Sequence, residues 1–412
     1  MIKKIDGGVT AAKGFQAAGV AAGIKYKDRK DMALVYTSEP AMAAGTFTTN
    51  VVKAAPVLWD KELVEKAEPV HAVVLNSGIA NACTGEEGKT YNYNMASATA
   101  EVLGVKPEEV LTMSTGVIGM QLRMEPIQVG VKLLKDALAD TREAAKEAAE
   151  AIMTTDTVSK ESAVTFEIDG TPVTIGGMSK GSGMIHPNMA TMLSVITTDA
   201  TIGHDLLQEA LSAVVSDTFN MISVDRDTST NDTCVVLANG LAGAPEIQKG
   251  TEAYDTFKEA LFAVACDLAK KMAGDGEGCT KLFETQVTHA ATVEEAKILS
   301  KSVITSNLVK TAVYGSDANC GRFICALGYS GVEFDPNKVD LTLCAEIDGK
   351  EATVVTVKDG VAMEFDEDFA TKILSQEKVS VICDMKQGDA CATAWGCDLT
   401  YDYVKINADY RS

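Results

Sequence analysis

Residues 180–193 read KGSGMIHPNMATML, and SVITTDATI follows at once at residues 194–202. Gly181, Gly183, Pro187 and Asn188 break regular structure, so the first part is a loop. From Thr191 onward β-branched and apolar residues take over, the pattern of a buried strand. A threonine thus stands where a loop passes into a rigid element. Such a hydroxyl serves as a nucleophile without help from histidine when its residue is N-terminal. The α-amine, with a reference pKa of about 7.7–8.0, then takes the proton. Thr191 reaches that state only if the Ala190–Thr191 bond breaks. A threonine at a loop-to-strand junction is common, so on pattern alone a plain turn stands beside this reading.

Histidine is scarce. The chain holds His71, His186, His204 and His289, too widely spaced for H-E-x-x-H, so a conventional Ser–His or His-metal site has little to draw on. The 412 residues allow two or three domains at about 150 residues each. With 37 basic and 58 acidic residues the formal charge is −21, which disfavours nucleic acid and anionic membrane as partners. The ten cysteines form no C-x-x-C, and residues 1–14 carry no apolar stretch, so reduced thiols and a cytoplasmic location are expected.

Outward from the junction, strands are expected at 32–36 and 71–75 and a helical stretch over 126–153. A hairpin at 163–175 turns on Asp169-Gly170. Helices are expected at 204–219 and 254–272, and one from Thr292 to about Val313 that opens with a capping box. The last ninety residues read as strands (339–349, 352–360, 379–385 and 397–407), with turns at Asp348-Gly349 and Asp359-Gly360. The fold class is α/β or α+β, a layered sandwich with a discontinuity near residue 190.

Two glycine-rich segments, GGMSKGSG (176–183) and GDGEGCTK (274–281), lack the spacing of a phosphate loop, so tight turns are the default reading. DRDTSTND (225–232) fails the EF-hand pattern at Thr230 and Val236, and no metal is expected. Thr115 and Gly116, in STGVIG, fall where a strand ends in a glycine turn, a geometry that exposes backbone N–H groups and suits an oxyanion hole.

Taken in order, NSGIANACTG (76–85), STGVIG (114–119), AIMTTDT (151–157), KGSGMIHPNMATML, SVDRDTSTND (223–232), GDGEGCTK, GSDANCGR (315–322) and INADYRS (406–412) resemble the motifs of the ornithine acetyltransferase family. This is the bifunctional glutamate N-acetyltransferase family of arginine biosynthesis, and the resemblance spans essentially the whole chain. It implies a self-cleaving, N-terminal-nucleophile-like enzyme cut between Ala190 and Thr191, giving an α chain (1–190) and a β chain (191–412) that assemble as α2β2. Thr191 is then the nucleophile, Thr115 and Gly116 the oxyanion hole, and Thr154, Lys180, Thr191, Glu277, Asn407 and Ser412 the substrate contacts. The implied reaction is ping-pong: N2-acetyl-L-ornithine acetylates Thr191, and L-glutamate takes the acetyl group. No cofactor is implied, and acetyl-CoA enters only as a second acetyl donor.

The sequence departs from the family pattern at Ile79 for asparagine, Ser159 for proline, Arg226 for glycine, and Ala318 and Cys320 for proline and tryptophan. None of these is a mapped contact. Three alternatives stay open: a monofunctional transferase that uses no acetyl-CoA, a self-cleaving amidohydrolase or aminopeptidase with water as acceptor, and a nucleotide-binding protein that uses the glycine loops uncleaved.

Overall fold

The computed structural model describes residues 1–186 and 192–408. Ala190, Thr191 and Ser412 lie outside the described residues. The chain forms two compact units: residues 1–181, 187–220 and 228–268 make the first, and 182–186, 221–227 and 269–412 the second.

The strands up to mid-chain are β1 (Lys3–Ile5), β2 (Phe15–Val20), β3 (Met32–Phe47), β4 (Val70–Asn76) and β5 (Val110–Ser114). They are followed by β6 (Lys160–Ile168), β7 (Thr171–Lys180), β8 (Leu193–Thr198), β9 (Ile222–Ser223) and β10 (Thr233–Ala238). All but β9 build the sheet of the first unit, in the order β1-β6-β7-β8-β10-β3-β4-β5, with β2 also on β3. Apolar residues on successive positions make its middle strands two-faced. Ala33, Val35, Val73 and Leu75 enter one core, with Ala145, Ala148 and Ala149. Met32, Leu34, Ala72 and Val74 enter the other, with Met95, Ile127, Val131 and Leu134. A sheet buried on both faces needs helices on both. Helices α1 (Ala55–Glu65), α2 (Gly85–Leu103), α3 (Met124–Ala137), α4 (Arg142–Ala151), α5 (His204–Asp217) and α6 (Glu252–Ala273) serve it.

The second unit's sheet consists of β9 with β11 (Leu282–Ala290), β12 (Asp340–Ile347), β13 (Lys350–Lys358), β14 (Val361–Ala362), β15 (Lys378–Asp384) and β16 (Ala390–Cys397). Its order is β14-β13-β12-β15-β11-β16-β9. Helices α7 (Val293–Thr305), α8 (Asn307–Tyr314), α9 (Cys320–Gly328), α10 (Glu367–Leu374) and α11 (Tyr401–Asn407) complete it.

The layered α/β class is therefore as expected. So are the three Asp-Gly hairpins, where both turn residues have positive φ (48° and 77° at Asp169-Gly170). The helical stretch 126–153 is also as expected and comprises two helices, because Thr141 caps a new one by accepting from the Ala144 N–H at 3.2 Å. Two expectations are corrected. The helix from Thr292 likewise ends at Thr305, where the Ser306 hydroxyl caps α8 through the Val309 N–H. Residues 401–407 are helix α11, not strand. The alternation of Tyr401 and Tyr403 suggested a strand, but among the described residues no strand pairs with it, and Asp402 and Lys405 suit the helix ends.

Candidate active site

The turn after β5 is built by the pairing of β4 with β5, which sets Asn76 beside Ser114. The Ser114 hydroxyl donates to Asn76 Oδ1 at 2.6 Å, and Thr115 N–H donates to the Asn76 carbonyl at 3.0 Å. Gly116 follows with φ 129°, and a Cβ there would stand 2.2 Å from the Gly78 carbonyl carbon. Only glycine fits, so the close approach of two backbones explains the residue type. Ile79, one of the departures, is buried in this same turn and bridges to Thr115 and Val117.

Lys180 ends β7 and is 7% exposed. Its ammonium donates to Thr115 Oγ1 at 3.4 Å. An ammonium can only donate, so the Thr115 hydroxyl accepts here and directs its own hydrogen elsewhere. Lys180 pairs with Leu193 across β7 and β8, so the two ends of the segment holding residues 187–191 meet on one rung. Met192 is fixed as well, its carbonyl accepting from Thr233 N–H at 2.8 Å.

Thr154 lies in the loop before β6. Its carbonyl accepts from the Arg29 guanidinium at 3.0 Å and its N–H donates to Asp156 Oδ2 at 3.0 Å; the Met153 carbonyl also accepts from Arg29. Asp156 is a hub. Its Oδ1 accepts from Lys160 Nζ at 2.7 Å and from Gly181 N–H at 2.7 Å. Burial alone would raise this carboxyl. The Lys180 and Lys160 cations and the hydrogen bonds outweigh burial and hold it at about 2. Thr115, Gly116, Lys180 and, through Asp156, Thr154 are thus brought together in the first unit.

Glu277 and Asn407 are brought together in the second. Asn407 Nδ2 donates to Glu277 Oε2 at 2.7 Å, and Glu277 N–H donates to the Ser182 carbonyl at 3.0 Å. Gly183 has no Cβ because that carboxylate occupies the place, 2.2–2.4 Å away. Gly278, at φ 68°, lies against the Asp402–Tyr403 backbone, so the 274–281 loop seats the start of α11. His186 is pushed down to about 4, by burial first and then by Lys301 and Arg226, so it is neutral near pH 7. Among the described residues no cluster of three metal-ligating side chains occurs, and no helix is long and apolar enough to cross a membrane.

The ArgJ family model matches residues 16–412. The chain belongs to the ArgJ family. The arginine biosynthesis bifunctional protein ArgJ 1 of Clostridium acetobutylicum is 52% identical over 404 residues, which cover 98% of this chain and 97% of the relative. That of Symbiobacterium thermophilum is 51% identical over 99% of both chains. The crystal structure of ornithine acetyltransferase complexed with ornithine from Mycobacterium tuberculosis matches at TM-score 0.43 and 42% identity, over 47% of this chain and 100% of that chain. As an ArgJ family member the protein is a bifunctional acetyltransferase enzyme of arginine biosynthesis.

In this ArgJ family chain, sequence reasoning missed two residues of the candidate site. Asp156 sat unremarked inside AIMTTDT. Asn231, within the presumed polar turn, donates through Nδ2 to the carbonyls of Ala80 (2.6 Å) and Ser114 (2.8 Å), and its own carbonyl accepts from the Thr233 hydroxyl at 3.1 Å. It ties the anchor of Met192 to the Thr115 turn. Full burial of a primary amide is the signal, and a sequence does not display burial.

Proposed function

We propose that this chain cuts itself between Ala190 and Thr191 and then transfers the acetyl group of N2-acetyl-L-ornithine to L-glutamate. The products are L-ornithine and N-acetyl-L-glutamate. The Thr191 hydroxyl attacks the acetyl carbonyl while its α-amine takes the proton. The oxyanion is met by the Thr115 hydroxyl and the Gly116 turn, and ornithine leaves with the proton returned to its nitrogen. The amine of glutamate then attacks the acetyl-threonine ester. Lys180 and Thr154 meet the substrate's polar groups, with Glu277, Asn407 and Ser412 as further contacts. Glu277 supplies an anion for an ammonium.

The observation that carries this reading is the Lys180–Thr115 contact on the β7 rung that pairs with Leu193. The chain position of Thr191, two residues before Leu193, supports its access to that turn. Acetyl-CoA is the donor in the second activity, again through Thr191. The cytoplasm is the expected compartment and α2β2 the expected assembly.

Intact mass under denaturing conditions tests the first step. Wild-type protein should give chains of 190 and 412 − 190 = 222 residues, and Thr191→Ala a single chain of 412. An uncut wild-type chain would remove the amine base and the mechanism with it. Ornithine release from acetylornithine that is equally fast without glutamate would instead make the enzyme a hydrolase.

A further inference from the structure

The polar segment TSTND (228–232) does not read as part of a cation loop, and the proposed reaction gives it no part. It is nonetheless firmly held. The Thr48 hydroxyl donates to the Ser229 carbonyl at 2.8 Å, and Ala54 N–H to the Thr230 carbonyl at 2.9 Å. The Thr230 hydroxyl donates to Asn231 Oδ1 at 2.6 Å. With Oδ1 accepting, Asn231 has two N–H groups to give, and both go to carbonyls far away in the chain: Ala80 at 2.6 Å and Ser114 at 2.8 Å. The side chain is therefore saturated as well as buried.

The Ser114 bond falls on the peptide that leads into the proposed oxyanion turn. That peptide is planar, and it is held at both ends. Its carbonyl accepts from Asn231, and its N–H, that of Thr115, donates to the Asn76 carbonyl at 3.0 Å. The peptide from Gly116 to Val117 is fixed too, because Val117 N–H donates to the Gly78 carbonyl at 3.1 Å. Between these two lies the peptide that carries Gly116 N–H. The Ala80 bond secures the facing segment, whose Ala80 N–H donates to the Val117 carbonyl at 3.0 Å.

We propose that Asn231 is a positioning residue for acetyl transfer, whose carboxamide holds the Ser114–Thr115 peptide so that the Thr115 hydroxyl and Gly116 N–H are aimed at the oxyanion. This rests on the transfer reaction proposed above. Asn231 also refers the turn to the start of β8. Its backbone carbonyl accepts from the Thr233 hydroxyl at 3.1 Å, and Thr233 N–H donates to the Met192 carbonyl at 2.8 Å. One residue thus fixes the turn and the chain position next to Thr191 in a single frame. A carboxamide suits the task, because it offers two donors at a fixed angle and adds no charge beside a developing anion. Placement matters because a donor displaced by about 1 Å costs about 10²-fold in rate.

A double-mutant cycle with Thr115→Val separates positioning from a structural role. Rates are measured with acetylornithine and glutamate on chains that intact mass shows to be cut, per chain able to take up acetyl. Asn231→Ala should lower kcat by about 10²-fold, with both KM values within about twofold of wild type. In the Thr115→Val background the same change should cost less than about tenfold, because one of the donors it positions has already gone. A residue that only supports the fold lowers activity by the same factor in both backgrounds. Equal factors, or a raised KM with kcat intact, overturn the assignment. Should Asn231→Ala fail to fold or to cut itself, Thr230→Val decides, since it loosens the carboxamide and leaves both of its donors in place. Its kcat should fall by roughly threefold to fivefold, and by less than about twofold with Thr115→Val. Equal falls, or none, overturn the assignment. Wild type that releases ornithine equally fast without glutamate sinks the transfer reaction, and Thr115→Val as fast as wild type sinks the oxyanion turn. Both outcomes are distinct from additive losses in an enzyme that transfers.

Discussion

Thr115 and Gly116 differ in what they ask of a substitution. Gly116→Ala forces a Cβ into the Gly78 backbone at a φ that L-residues avoid. It should lower kcat by about 10²–10³, the usual cost of losing an oxyanion donor. Thr115→Val keeps shape but removes the hydroxyl, and a fall in kcat with KM little changed is expected in steady-state assays. An unchanged kcat would take the hydroxyl out of the oxyanion hole. Asp156 has a signature in stability as well. Its folded pKa, about 2, lies below its ordinary 3.8, so its contribution is present above pH 3.8 and lost as pH falls toward 2. At about 1.4 kcal/mol per unit this amounts to about 2 kcal/mol. Urea titrations of wild type should show it between pH 4 and pH 2, and those of the Asp156→Asn, Lys160→Met double variant should not. Arg226 shows why the family pattern favours glycine there: its φ is 72°, and the residue change left the left-handed turn in place.

Among the elements, the seam between α1 and β5 has an uncommon group. Asp60 is fully buried, its Oδ1 accepting from Thr112 N–H at 2.7 Å while Oδ2 finds no partner among the described residues. Burial pushes its pKa well above the ordinary value, with the Thr112 hydrogen bonds opposing. A raised carboxyl favours the folded state at low pH, and the advantage is lost as pH rises above the unfolded value. Asp60→Asn should therefore raise Tm at pH 7 by several degrees and leave it unchanged near pH 3, as calorimetry would read. At the other end of the chain, α11 is largely exposed, and it is seated by the Thr400–Gly278 bond (2.7 Å) and by Tyr314 against Tyr401. A chain ending at residue 400 loses the Asn407–Glu277 bond. It should show a higher KM or faster ester hydrolysis, and unchanged kinetics would count against a role for the tail.

For the whole molecule, the proposed cleavage point falls in the chain between two paired strands. β7 and β8, on either side of it, are paired over six rungs of one sheet, from Ile175–Thr198 to Lys180–Leu193. Cleavage at Ala190–Thr191 would divide the chain but not the unit. The two products should therefore co-elute in native chromatography and separate only in denaturant. Dissociation under native conditions would contradict the sheet pairing as the bond between them. The proposed cleavage point and the compact units are thus different divisions of the chain, and only the first has a visible sequence marker.

The sequence alone determined what depends on local chemistry. The strand that begins at Leu193, the glycine turn at 115–116 and the Asp-Gly hairpins follow from short-range sterics and periodicity. The long ordered set of motifs identified the family. Tertiary structure decided the rest. Residues 401–407 alternate like a strand, yet among the described residues no strand pairs with them, and the helix satisfies their backbone internally. Asp156 and Asn231 read as ordinary polar loop residues. Their importance comes from partners distant in sequence, Gly181 for one and Ala80 and Ser114 for the other. Enclosure makes those hydrogen bonds matter, because a buried carboxylate or amide without partners costs far more than one in water.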